Sequence, residues 1–329
     1  MYKIAFIIPY FGKLPYYFDL WLNTCKYNSE ITWIMFTDDR TPHDYPQNVK
    51  VNYIEFGELV ERVKSHYDFG INLSDPYRIC DFKVAYGEIF APELKKYDFW
   101  GYCDIDLMWG NIRKFITDDI LASYDKIGFQ GHMTLYRNNS EVNARYRLPI
   151  DGKYVYKEVF ASSKNEYFDE SGISDIYRAY DIPFYSKVHF ANISPLAWSF
   201  YLRYFPQSDD YKNKHQIFTW KNGELKRIYT HNNKIFCEEF MYIHFLRREM
   251  KLKFKNINDL VIYPNDITDC PPQITESYII KHSRNNMLVY YLDLIWRKRH
   301  KMSVKNIYKY FCHRIKAQKI KKTNNEQIM

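Results

Sequence analysis

Phe99-Trp-Gly-Tyr-Cys-Asp104-Ile-Asp106-Leu-Met-Trp-Gly110 sets two carboxylates two residues apart at the end of an aromatic, apolar run. Side chains alternate along a strand, so positions i and i+2 share a face. With Tyr97–Cys103 as a buried strand, Asp104 and Asp106 leave its end together, and like charges held that close call for a compensating cation. Hard oxygen donors suit Mg²⁺ or Mn²⁺, and such an ion can in turn hold a diphosphate. The competing reading is a strand-end pair that caps the next turn.

Upstream, the chain alternates strand and helix. Lys3–Pro9 reads as a first buried strand, and Pro15 suits the first turn of a helix carrying Phe18, Trp21, Leu22 and Cys25. Ile31–Phe36 and Val49–Glu55 read as strands, and Leu59–Tyr67 as a helix. Asp75 caps a further helix with Pro76 just inside it, running through Tyr77–Phe90. This β/α alternation predicts an α/β fold with a mostly parallel sheet covered on both faces. Ligands of such sheets bind at the carboxyl ends of the strands. Pro9-Tyr10-Phe11-Gly12, Thr37-Asp38-Asp39 and Asp104-x-Asp106 all fall there. Asp38 and Asp39 are candidates for a base or ribose, against the reading of a solvated turn.

The second half is less regular. Lys126–Gln130 and Met133–Tyr136 read as strands, Ile173–Tyr180 as a short helix, and Leu260–Pro264 as a last strand. Gln216–Lys221, Asn222-Gly223 and Glu224–Tyr229 form a strong hairpin signal. The simplest parse is one domain over 1–265, followed by a helical, basic appendage over 266–329.

Composition narrows the class. Of 329 residues, 32 are Tyr and 23 Phe, enough aromatic surface to stack on sugars or line clefts. Six scattered cysteines without a Cys-x-x-Cys pair fit a reducing compartment and argue against a zinc ribbon or disulfide scaffold. The N-terminal apolar run is short and ends at Pro9, and no stretch reaches the roughly 20 apolar residues of a membrane span. A cytoplasmic chain, soluble or peripheral, is expected. The net charge of +8 sits in the tail: Arg297–Lys322 holds eleven Lys/Arg and no Asp/Glu, leaving the body at −3. A basic patch on the folded domain is thus missing, which argues against nucleic acid. Val304, Ile307, Tyr308, Phe311 and Ile315 follow helical spacing with lysines off the stripe, and Tyr290-Tyr291 and Trp296 lie upstream. That pattern suits an anionic membrane surface; the alternative is a helix docked on its own domain.

Further chemistry lies in Glu238-Glu-Phe-Met-Tyr-Ile-His244-Phe-Leu-Arg247-Arg248. His244 is either a third metal ligand or a core histidine, and Arg247 or Arg248 can pair with phosphate. In Arg78-Ile-Cys-Asp81-Phe-Lys83, Lys83 is a candidate for phosphate and Asp81 for a sugar hydroxyl. Their i,i+2 spacing lets at most one face a cleft on an α-helix. His132 follows a strand and is a candidate for the far side of the cleft. Asp169 and Glu170 are candidates for binding an acceptor hydroxyl or acting as general base, against plain loop carboxylates. No Gly-rich phosphate loop occurs, so a metal and side chains must hold any nucleotide.

Together, Ile-Ile-Pro-Tyr-Phe-Gly12, Cys-Asp-Phe-Lys83, Gly-Tyr-Cys-Asp-Ile-Asp106 and Tyr-Ile-His-Phe-Leu-Arg247-Arg248 resemble a GT-A-type glycosyltransferase. More narrowly, they are similar to a little-characterised bacterial family from capsule and O-antigen polysaccharide clusters. The resemblance spans about Lys3 to Tyr263. It implies a GT-A-like, Rossmann-type domain, a UDP-linked sugar donor, Mn²⁺ or Mg²⁺, and a glycan or lipid-linked acceptor. It gives Asp104 and Asp106 the metal and nucleotide role and matches His244 to the late histidine that completes it. Leu246 departs from that pattern, where a polar residue is expected. The rival classes are a nucleotidyl- or phosphosugar transferase using the same metal pair, and a non-catalytic carbohydrate-binding or scaffold protein.

Overall fold

The computed structural model describes residues 1–193, 199–200, 202–203, 215–246 and 248–284. The chain divides into two units, Met1–Ser283 and Arg284–Met329, and every element below lies in the first. The tail stripe from Val304 to Ile315, with Tyr290, Tyr291 and Trp296, lies outside the described residues.

The strands in chain order are β1 (Ile4–Pro9), β2 (Ile31–Thr37), β3 (Val49–Tyr53), β4 (Phe99–Cys103), β5 (Leu107–Trp109), β6 (Lys126–Gln130), β7 (Met133–Arg137) and β8 (Phe190–Ile193). They continue as β9 (Leu202–Arg203), β10 (Gln216–Lys221), β11 (Glu224–His231), β12 (Lys234–Phe240), β13 (Tyr242–His244), β14 (Lys251–Lys253), β15 (Asp259–Ile262) and β16 (Asp266–Asp269). The first sheet has the order β3-β2-β1-β4-β7-β6. Its four leading strands are parallel, and β7 and β6 close it antiparallel. β1 is an unbroken apolar run because both of its faces are covered. Ala5 and Ile7 enter one core with Ile34, Phe36, Trp100 and Tyr102, while Ile4, Phe6 and Ile8 enter the other with Trp33, Met35 and Phe99.

The helices depart from expectation in instructive ways. Helix α1 is Phe18–Lys26, so Pro15 precedes it and accepts the Phe18 N–H in a turn. Helix α2 is Phe56–Lys64, earlier than its apolar spacing suggests, because Glu55 and Glu58 form a reciprocal capping box. Asp75 does cap its helix, accepting from Tyr77 N at 3.0 Å. That helix is a 3₁₀ helix over Pro76–Ala85, followed by a short α turn, Tyr86–Ile89.

Beyond β7 the sequence underestimated the order. A second sheet, β12-β11-β10-β15-β16-β14, packs its own core around Phe218, Trp220, Leu225, Phe240 and Leu260. Asn222 and Gly223 both take positive φ at the β10–β11 turn, as the hairpin signal required. β15 hydrogen-bonds to β16, so the expected division at 265/266 cuts between paired strands. A third, small sheet, β5-β13-β8-β9, joins the two halves of the body. Among the described residues, five cysteines are free thiols, and no helix is long and apolar enough to cross a membrane.

Candidate functional site

The chain leaves β4 at Cys103 and bends through Asp104-Ile105-Asp106 before entering β5. The carboxylates therefore converge through a bend, not through strand alternation as expected, with Ile105 turned into the core. β13 pairs antiparallel with β5, setting His244 opposite Leu107, and parallel with β8, setting it opposite Asn192. This register delivers the imidazole to the bend. His244 Nε2 stands 3.0 Å from Asp106 Oδ1 and 3.9 Å from Asp104 Oδ2. Asp104, Asp106 and His244 each bring one ligand atom within 4.8 Å of the others.

The donor set is chemically specific. Asn192 Oδ1, which can only accept, lies 3.2 Å from His244 Nδ1 and offers an acceptor for an N–H on that ring nitrogen. Nε2 faces the Asp106 carboxylate, and in the neutral ring with its proton on Nδ1 its lone pair is offered to a cation shared with that carboxylate. Adjacent donors around an octahedral ion with bonds of about 2.1 Å lie about 3 Å apart. The residues thus fit a hard divalent cation held by two carboxylates and one imidazole, with the second ring nitrogen fixed by a neighbour. Asn192 has no signal in the sequence; its role appears only from the strand register.

Lys83 joins this cluster. Its Nζ donates to Asp104 Oδ1 and to Gly131 O, both at 2.8 Å, and lies 3.3 Å from Asp169 Oδ2. Burial alone would lower its pKa, but Asp104 and Asp169 hold it well above the ordinary value. Asp169 is raised to about 7 by burial, with Asp104 and Glu170 adding to the rise and Lys83 opposing it. Glu170 stands half-buried beside it. His132 also reaches the site: its ring lies 4.3 Å from that of His244, and Tyr242 OH bonds its Nδ1 at 2.9 Å.

The loop after β1 forms another wall. Pro9 ends β1, and Tyr10 N bonds to Phe36 O at 2.8 Å. Burial raises the Tyr10 and Tyr17 hydroxyls, with Asp106 as the next cause for each. Both hydroxyls therefore lie in the field of Asp106.

Other expected ligand contacts are structural. Phe11 packs on Phe56 with centroids 5.3 Å apart. Asp38 accepts from Gly12 N at 2.7 Å. Asp39 accepts from Leu14 N at 2.8 Å and from Thr41 Oγ1 and N at 2.6 and 2.9 Å. The Thr41 hydroxyl and these two amides hold Asp39 down to about 2. Both carboxylates thus pin turns, including the loop after β1, and both remain partly exposed. Asp81 is fully buried, and its carboxylate accepts from Arg78 and from Glu166 N and Phe168 N, each amide at 3.0 Å. In a 3₁₀ helix, residues three apart eclipse, which stacks Arg78 on Asp81 and leaves Lys83 to face the site. Asp81 serves the backbone, not a sugar hydroxyl. Arg248 is buried, and its Nε donates to Asn265 Oδ1 at 3.0 Å, an anchor for the segment after β13. Arg247 lies outside the described residues. Leu246, the departure from the family pattern, takes a left-handed φ of 50°.

The model of a family described as "Family of unknown function (DUF6625)" matches residues 6–271. The chain belongs to DUF6625. That match carries β4–β5 and β13, and hence the whole Asp104–Asp106–His244 cluster, inside the DUF6625 region. No curated protein matches this DUF6625 chain. Among solved structures it is similar to the apo crystal structure of mouse xyloside xylosyltransferase 1, at 12% identity and a TM-score of 0.37. The alignment covers 59% of this chain and 88% of that one.

Proposed function

We propose that this protein is a metal-dependent glycosyltransferase that moves a hexose from a nucleotide sugar, UDP-linked, to a surface-polysaccharide acceptor carried on a lipid. The observation that carries the reading is the Asp104–Asp106–His244 cluster beside the carboxyl ends of a parallel sheet. When bound there, Mn²⁺ or Mg²⁺ supplies Lewis-acid stabilisation of charge on a leaving diphosphate. Asp104, Asp106 and His244 are its ligands. Lys83 fixes the Asp104 carboxylate and adds positive charge, and Tyr10 and Tyr17 wall the cleft on the β1 side. Asp169 is assigned to the acceptor hydroxyl. Burial brings its carboxyl to about 7, in the range a general base needs near neutral pH. Glu170 is the second candidate for that role.

The basic tail from Arg297 onward is the proposed approach to anionic lipid at the inner face of the plasma membrane. Truncation before Lys301 is expected to abolish sedimentation with anionic liposomes, and unchanged sedimentation would remove the membrane from the reading.

Calorimetry with UDP tests the core of the proposal. Binding is expected only with Mn²⁺ or Mg²⁺ present and is expected to vanish in Asp106→Asn. UDP binding that ignores the metal, or survives this substitution, would overturn it. Metal-dependent hydrolysis across a panel of nucleotide sugars then names the donor.

A further inference from the structure

One bulky residue is held in a costly conformation with its side chain in solvent. Tyr167 adopts φ 55° and ψ 40°, the left-handed region, and is 62% exposed. A non-glycine residue there is strained and persists only where its surroundings over-determine it. Burial of the Tyr167 ring does not offset that strain. Phe168, the next residue, takes the core position, 1% exposed and edge-on to Phe160 at 6.1 Å.

The surroundings that impose the strain are built from buried charge. The amides on either side of Tyr167, from Glu166 and Phe168, both donate to the Asp81 carboxylate at 3.0 Å. Asp81 is 0% exposed and Arg78 is 2% exposed. The Arg78 guanidinium bonds Asp81 and Lys164 O, and donates to Val159 O at 3.0 Å and Asn165 Oδ1 at 3.3 Å. An ion pair buried this deeply is expensive to desolvate, and here four of its hydrogen bonds, to Lys164 O, Asn165 Oδ1 and the Glu166 and Phe168 amides, go to the segment around Tyr167. The loop then enters a π-helical turn, Phe168–Gly172, a feature common at functional sites. Within that turn, Tyr102 OH bonds Asp169 O at 2.8 Å, and the Asp169 carboxylate meets Lys83. A solvent-facing aromatic ring on a held backbone therefore stands two residues along the chain from a carboxylate of the site.

We propose that Tyr167 is the stacking platform for the acceptor, holding the apolar C–H face of a pyranose ring while neighbouring carboxylates take its hydroxyls. The inference rests on the glycosyltransferase reading and adds a specificity-determining residue to it. An aromatic ring presents a flat apolar surface with a polar hydroxyl tip, and a pre-fixed backbone lowers the ordering cost of a weak ligand.

Saturation-transfer NMR with millimolar methyl β-D-glucopyranoside and methyl β-D-galactopyranoside tests the proposal without metal, nucleotide or turnover. The full chain is expected to transfer saturation to protons on one ring face. Tyr167→Ala is expected to weaken this about three- to tenfold, the worth of one ring contact. Tyr167→Phe and Tyr167→Trp should restore it, while thermal unfolding of all three variants stays near that of the parent. Equal transfer in Tyr167→Ala, or no transfer to the parent from either glycoside, overturns the proposal. Failure of the Mn²⁺–UDP calorimetry instead overturns the metal reading, so the two failures are distinguishable.

Discussion

Asn192 stands across the parallel β8–β13 pair from His244, with its side-chain oxygen 3.2 Å from the ring Nδ1. An N–H donated to that oxygen leaves the neutral ring's Nε2 as the ligand atom of the proposed cation site. Partners of this kind typically carry 10–100-fold of metal affinity. Asn192→Leu is expected to weaken Mn²⁺ binding by about that factor, read by calorimetry or by the spin resonance of free Mn²⁺. Asn192→Asp, which keeps the acceptor, should retain most of it. Equal affinity in the Leu variant would remove Asn192 from the site.

Asp81 makes a prediction that is local in the chain. Asp81→Ala leaves the Arg78 guanidinium buried without its carboxylate, at a cost of about 3 kcal/mol. Hydrogen exchange should accelerate at the Glu166 and Phe168 amides before it does in β1 or β4. Uniform acceleration across the body would show that Asp81 supports the whole fold and not this loop.

Lys126 gives a pH dependence. It is 0% exposed, donates to Gly128 O at 2.7 Å and sits over the Phe184 ring at 4.1 Å. Burial, with a smaller push from Arg178, lowers its pKa to about 7. Between that value and about 10.4 the unfolded chain binds the extra proton, so this group makes stability rise with pH across the window. Below about 7 both states are protonated, and the full penalty of the buried charge remains. Lys126→Met should therefore be more stable than the parent at pH 6.5, with the gap closing towards pH 9.5. The slope is at most about 1.4 kcal/mol per unit. Urea unfolding at four pH values measures it, and a gap independent of pH would refute the assignment.

Gly110 closes the stretch that defines the site. A Cβ there would lie 2.5 Å from Phe240 O and 3.3 Å from Met241 O, backbone atoms at the crossing from β12 to β13. Gly110→Ala is expected to destabilise by about 1–3 kcal/mol. It should also weaken Mn²⁺ binding, because β13 must shift away from β5. Lower stability with full Mn²⁺ affinity would show that the strand gives elsewhere.

The leading half of the fold was legible because its signals are local. Ile4–Pro9 and Ile31–Thr37 are continuous apolar runs, and Asp75 with Pro76 is a cap readable within three residues. The pair Asn222-Gly223 likewise declares its turn by conformational preference alone. What stayed hidden depends on partners distant in the chain. β5 and β13 have three residues each, too short for a periodic signal, and become strands by pairing, β5 with β13 and β13 also with β8. The 3₁₀ winding of Pro76–Ala85 could not be told from an α-helix by its cap, so Asp81 was read towards the cleft instead of towards the loop at 166–168. The backbone bonds of Asp39 were hidden for a related reason: a strand-end carboxylate looks the same in sequence whether or not it meets its own backbone. His244 and Asp169 were visible as residue types, but only the register of β13 and the reach of Lys83 bring them to Asp104.

The strand that carries His244 lies between β5 and β8, and the imidazole meets a carboxylate 138 residues earlier in the chain. The proposed cation site is therefore a clasp between early and late segments. A polypeptide emerging from the ribosome displays both aspartates long before it owns the nitrogen that completes their coordination. A product that stops short of Tyr242 would fold a partial sheet and still fail to retain the ion. Retention of an ion would thus report that synthesis has passed His244, because the donor set is incomplete before it.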